Sequence, residues 1–138
     1  MQGYNLIVVL NENLTRVLMC ERKKPPYLGL WNMVGGKIEN AENHEAAAYR
    51  ELEEETGIKK ADICLTHLMD FTYQLDNIFV EVYVGQLLGA VTLQEEVNKI
   101  FWTHLNHDFF AMERFAGEGN IGHIMEHIKL AKDRLFHK

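Results

Sequence analysis

The sequence predicts an α/β protein, a sandwich with a mixed β-sheet between helices, forming a single domain over residues 1–138. Strand-like runs precede and follow one central helical segment, and an amphipathic segment closes the chain. With 138 residues, 47% of them hydrophobic, the chain is long enough to close one proper core.

The elements follow in order. "GYNLIVVL" (3–10) and "TRVLMC" (15–20) are β-branched or apolar runs joined by "NENL", the pattern of a hairpin entering a buried sheet. "KKPPYLGLWNMVGGK" (23–37) is punctuated by Pro and Gly, which predicts a loop, a short strand around Leu30–Asn32 and a tight turn. Asn43 to Thr56 reads as helix, with three alanines inside and Gly57 as its stop. "ICLTHLMDFTYQL" (63–75) and "IFVEVYVGQLLG" (78–89) are aromatic-rich strands separated by "DN", a further hairpin. "NKIFWTHL" (98–105) is another strand, followed by a glycine-broken stretch, helical or irregular. Ile121, Ile124, Met125, Ile128, Ala131 and Leu135 fall at helical spacing and predict the closing helix.

Composition narrows the function. A net charge of −6 argues against a nucleic-acid polymer as partner, because that binding needs a broad basic surface. It leaves room for a small anion, since a bound cation or a local basic pocket reverses the field inside one cleft. The first apolar run is too short for a signal peptide or a membrane span, so no membrane partner and a cytoplasmic location are expected. Cys20 and Cys64 have apolar neighbours and no metal-finger spacing, which reads as two buried free thiols in a reducing compartment. A monomer or a homodimer is expected.

The chemistry is carried by "RELEEETG" (50–57). With Glu51 at zero on a helical wheel, Glu55 falls about 40° to one side and Glu54 about 60° to the other. Like charges at these spacings each cost about 0.2–0.5 kcal/mol. Three carboxylates on one arc form a hard oxygen cage suited to Mg²⁺, with Mn²⁺ as substitute. Ala47 and Ala48 leave room one turn back, and Arg50 stands four residues before Glu54, where it can brace it. Gly35-Gly36 offers a turn where a carbonyl can face a metal with no Cβ in the way, and Lys37 is placed to reach a phosphate. A solvated glutamate-rich face is the competing reading, and the extended spacing decides against it.

From Gly36 the segment runs five residues to Glu42, seven more to Arg50-Glu51-Leu52, one to Glu54-Glu55 and one to Gly57-Ile58. Chance agreement at all these positions is on the order of 10⁻⁹ per starting point at average residue usage. This pattern resembles the signature of the Nudix hydrolases, completely over residues 36–58. The resemblance implies the Nudix sandwich and hydrolysis of a nucleoside diphosphate linked to another group, by water attacking phosphorus. It implies Glu51, Glu54 and Glu55 as metal-binding glutamates, the Gly35 carbonyl as a backbone ligand, and Glu51 as a base in some members. It implies Arg50 and Glu42 as orienting residues, with Gly36 and Gly57 structural. A further acidic ligand is usual in the family; Glu95 and Glu96 are the candidates, with Glu96 preferred.

"GLWNMVGGK" (29–37) is similar to the MutT-type branch, which acts on oxidised purine nucleoside triphosphates such as 8-oxo-dGTP. On that reading Asn32 contacts the base and Arg22 a phosphate; the competing roles are a turn amide and a solvated loop charge. Asn120 is too loosely aligned to assign. Tyr73 lies where diadenosine polyphosphate hydrolases carry an aromatic, which keeps dinucleoside polyphosphates as an alternative, with strand packing as its competing role. Nucleotide sugars and ADP-ribose are further alternatives, although "DFTYQL" (70–75) lacks the proline that marks ADP-ribose hydrolases. A Nudix fold that only senses nucleotide is a further alternative. "HIMEH" (123–127) also fits the H-x-x-E-H pattern of a metallopeptidase, an easy chance match among seven histidines.

Overall fold

A computed structural model describes residues 1–136. Six strands build one mixed sheet: β1 (Gln2–Leu10), β2 (Arg16–Glu21), β3 (Trp31–Asn32), β4 (Thr66–Tyr73), β5 (Ile78–Gln86) and β6 (Lys99–His104). The helices are α1 (His44–Thr56) and α2 (Asn120–Leu135). β1 runs parallel to β5 from Gln2↔Ile78 to Leu10↔Gln86, and β5 is antiparallel to β4. β6 lies antiparallel along all of β2, from Arg16↔His104 to Glu21↔Lys99.

The sheet is buried on both faces, which explains the unbroken apolar run of β1. Ile7 and Val9 join Leu18, Val34, Ala48 and Leu52 in a core under α1. Val8 and Leu10 join Val17, Met19, Ile121, Ile124 and Ile128 under α2. The layered sandwich expected from the sequence is therefore present.

The opening hairpin is splayed. β1 and β2 are in register at Leu10↔Val17, and beyond it the segment from Trp31 to Lys37 fills the gap between them. On one side β3 pairs with Cys20 and Glu21; on the other, the Ile7 N–H donates to the Val34 carbonyl and the Asn5 N–H to the Gly36 carbonyl, each at 2.8 Å. This inserted strip carries Gly35-Gly36 into the middle of the sheet, beneath α1.

α1 begins where Asn43 caps it, its Oδ1 accepting from the Ala46 N–H at 3.0 Å. It stops at Gly57, whose φ of 80° is one that side chains resist. Ala47, Ala48, Leu52 and Thr56 form its buried stripe.

Three expectations need correction. The β4–β5 turn takes Gln74 to Asn77 rather than "DN" alone, with Leu75 fully exposed. Residues 63–65 precede β4, with Ile63 bridging to Leu87. Of the two readings of the stretch after β6, the irregular one holds, with main-chain bonds between Trp31 and both Arg114 and Ala116. Cys20 is buried but Cys64 is exposed, because Cys64 alternates with the inward-facing Ile63 and Leu65. Among the described residues no helix is long and apolar enough to cross a membrane.

Candidate metal and phosphate site

Glu51, Glu54, Glu55 and Glu96 line one cavity of about 160 Å³, together with Val97, Asn98 and Ile100. Three come from α1 and the fourth from the loop before β6, so the cavity closes only when both meet. Of the two helical glutamates that Arg50 contacts, Glu51 is the more enclosed, with 13% of its side chain exposed against 52% for Glu54.

Arg50 organises this arc. Its Nε and Nη2 donate to both oxygens of Glu42 at 2.7 and 3.0 Å, a bidentate grip on the loop before the helix. Its Nη1 donates to Glu51 at 3.0 Å and to Glu54 at 3.3 Å, and its Nη2 also reaches the Lys37 carbonyl at 3.1 Å. One guanidinium thus joins the loop, the inserted strip and two glutamates. Its hydrogen bonds to Glu42 hold that carboxyl below its usual range.

Gly35 and Gly36 back onto this arc for a steric reason. A Cβ on Gly36 would lie 2.4 Å from the Glu51 carboxyl carbon, and one on Gly35 only 2.1 Å from the Asn5 carbonyl oxygen. Asn5 is 1% exposed, and its Oδ1 accepts from the Gly36 N–H at 2.9 Å.

Burial pushes Glu55 up to about 7, with the Glu51 charge adding to the effect and a backbone hydrogen bond at Gly35 opposing it. Burial also raises Glu51, against the pull of Arg50. Carboxylates held this way are short of positive charge, because Arg50 is already shared among Glu42, Glu51 and Glu54. A divalent cation bound by hard oxygen donors suits such a set.

The other expected residues divide. Arg22 has a buried Nε with no hydrogen-bond partner, an unmatched donor on the chain segment leaving β2. Asn32 is in register with Cys20 on the face toward α1, but its Oδ1 accepts from the Met33 N–H at 2.9 Å, the turn-amide role. Lys37 is exposed. Glu95 is drawn away from the cavity, accepting from the Ile100 N–H at 3.0 Å, whereas Glu96 lines it. The Tyr73 hydroxyl accepts from Asn120, and the Tyr27 hydroxyl donates to Glu118 at 2.6 Å. His123, Glu126 and His127 are exposed on α2, and they are not among the His, Cys, Asp and Glu groups that converge on one point among the described residues.

Sequence reasoning missed Asn5, Tyr27 and Glu118. Asn5 left one signal, a lone amide inside an apolar strand; the other two left none.

Comparison with known proteins agrees with this architecture. The NUDIX domain family matches residues 2–118. A Mycobacterium tuberculosis (strain CDC 1551 / Oshkosh) protein named "Putative 8-oxo-dGTP diphosphatase 2" is 44% identical over 88 residues, which span 62% of this chain and 62% of that relative. A MutT structure, from work on Aliivibrio salmonicida and Vibrio cholerae, superposes with a TM-score of 0.72 at 21% identity, covering 94% of this chain and 98% of that one. A C. elegans Ap4A hydrolase superposes at 0.75 with 17% identity, over 98% of this chain and 100% of its own. At such identities the likeness shows the shared fold. With the family matched over most of its length, the chain belongs to the NUDIX domain family.

Proposed function

We propose that the protein is a Mg²⁺-dependent pyrophosphohydrolase that converts a nucleoside triphosphate, foremost an oxidised purine nucleotide, to its monophosphate and pyrophosphate. The observation that carries this reading is the cavity shared by Glu51, Glu54, Glu55 and Glu96 beside the Arg50 brace. The name of the 44%-identical relative supports the choice of nucleotide.

In this reading the four glutamates and the Gly35 carbonyl hold Mg²⁺, with Mn²⁺ as substitute. Once bound, the ion offsets the charge of the diphosphate and lowers the pKa of a water. Arg50 fixes Glu51 and Glu54, and Glu51 accepts the proton of the attacking water. Arg22 contacts a phosphate oxygen through its guanidinium, and Lys37 adds a mobile positive charge. Asn32 meets the base through the part of its amide not used by Met33. The protein acts alone or as a homodimer, in the cytoplasm.

Initial rates with Mg²⁺ across 8-oxo-dGTP, the ordinary triphosphates, nucleotide sugars, ADP-ribose and diadenosine tetraphosphate test the substrate. Fastest turnover of 8-oxo-dGTP, abolished in Glu54→Gln and Glu55→Gln, is expected. Turnover retained in both variants refutes the glutamate roles. A second reading, dinucleoside polyphosphates, is favoured by one feature: Tyr73 and Tyr27 belong to one cluster with Asn120 and Glu118. It takes over if diadenosine tetraphosphate is the fastest substrate and Tyr73→Ala slows it selectively.

A further inference from the structure

At the N-terminal end of α1, about two turns before Glu51, the sheet gathers a second set of donors. Glu81 on β5 is in register with Asp70 on β4, placing two carboxylates directly opposite each other, an arrangement that disfavours the pairing of strands. His67 joins them because β4 is irregular. The register shifts between His67 and Met69, so one extra residue is accommodated there. In a regular strand residues 67 and 70 would point to opposite faces. With the bulge both face α1, and His67 Nε2 comes 2.5 Å from Asp70 Oδ1.

The remaining contacts fix the set. Glu81 is the buried member, with 11% of its side chain exposed. Its Oε2 lies 2.8 Å from His44 Nδ1 at the start of α1, and its Oε1 accepts from the Tyr83 hydroxyl at 3.1 Å. The His67 ring stacks on Tyr83 at 4.9 Å, which limits its rotation. One donor atom each from His67, Asp70 and Glu81 lies within 4.8 Å of the others. On β1, Asn5 is in register with Glu81, and its buried Nδ2 has no partner, so the polar row continues one strand further with a donor unmatched.

We propose that His67, Asp70 and Glu81 form a second metal site, selective for a zinc-class ion rather than Mg²⁺, with water in the fourth position and His44 holding Glu81 from behind. Imidazole ligands favour such ions, while Mg²⁺ prefers an all-oxygen shell. Bonds of about 2.0–2.2 Å set tetrahedral donors about 3.4 Å apart, so small rotations of the half-exposed His67 and Asp70 open their mutual contact and close the wider gaps to Glu81. The ion takes the place of the His67–Asp70 hydrogen bond, with His67 Nε2 as ligand and the single proton of the neutral ring on Nδ1. The site lies roughly 10 Å along the helix axis from Glu51, counting from His44. It ties the N-terminus of α1 to the β4–β5 hairpin, so its role is to fasten the helix that carries the glutamates, independently of the activity proposed above.

The test uses the full chain, stripped by chelator and titrated with Zn²⁺ in excess Mg²⁺, followed by calorimetry and by imidazole nitrogen NMR. In a Glu54→Gln/Glu55→Gln variant one Zn²⁺ per chain should still bind, with the His67 Nε2 resonance displaced. In His67→Gln/Asp70→Asn the affinity should fall at least about 100-fold. Those two side chains are 44% and 50% exposed, so the variant keeps its fold, which an unchanged metal-free melting curve verifies. Zinc binding absent from the first variant, equal in the second, or without movement of the His67 signal overturns the site and leaves two plain imidazole–carboxylate hydrogen bonds.

Discussion

At the scale of single residues, two positions make the candidate site sensitive to small changes. Gly36→Ala would drive a methyl group to 2.4 Å from the Glu51 carboxyl carbon, so the glutamate must move. A displacement of about 1 Å costs catalysis roughly 10²-fold, so turnover should drop by that order while circular dichroism stays native. Glu55 titrates near 7 when folded, against an ordinary value of 4.5. Between those values the metal-free folded state binds more protons than the unfolded chain. Stability should therefore decline as pH rises through this window, and the Glu55 contribution to that slope should vanish in Glu55→Gln. Urea midpoints at about pH 5 and pH 7 measure it; an unchanged slope in the variant would clear Glu55 of the effect. The patterned residues from Gly36 to Ile58 were legible because their spacing lies within one contiguous segment. Asn5 was not, since its contact with Gly36 spans 31 positions and exists only once the strip has slotted between β1 and β2.

At the scale of elements, α1 is the part whose ends matter. Asn43→Ala removes the acceptor for the Ala46 N–H and should cost about 1 kcal/mol in urea unfolding. A cost near zero would mean that the first turn is held from elsewhere, with His44–Glu81 the evident source. The helices and most strands were readable from periodicity, because alternation and the 3.6-residue repeat are local properties. The bulge in β4 was not, for a shifted register depends on the partner strand. Glu95 and Glu96 were also indistinguishable as letters. Only the fold of the loop sends one to the Ile100 N–H and the other to the cavity.

At the scale of the whole molecule, two cores on either side of one sheet set the position of the glutamates. Leu52 is completely buried under α1, one residue from Glu51. Leu52→Ala should cost about 2–5 kcal/mol and weaken metal binding together with stability. Mg²⁺ should raise the melting temperature of the native chain and leave Glu54→Gln/Glu55→Gln unmoved, since a ligand that binds only the folded state stabilises it. A midpoint indifferent to Mg²⁺ in the native chain would contradict the proposed ligand set. The segment from Trp31 to Lys37, spliced between two parting strands, has a wider result. What backs Glu51 there is peptide, which every amino acid supplies alike, and mutation reaches it mainly by adding bulk at a glycine. Exchanges around the mouth leave that backing untouched, so lineages descended from this chain would change the molecule they accept long before they lost the platform that receives it.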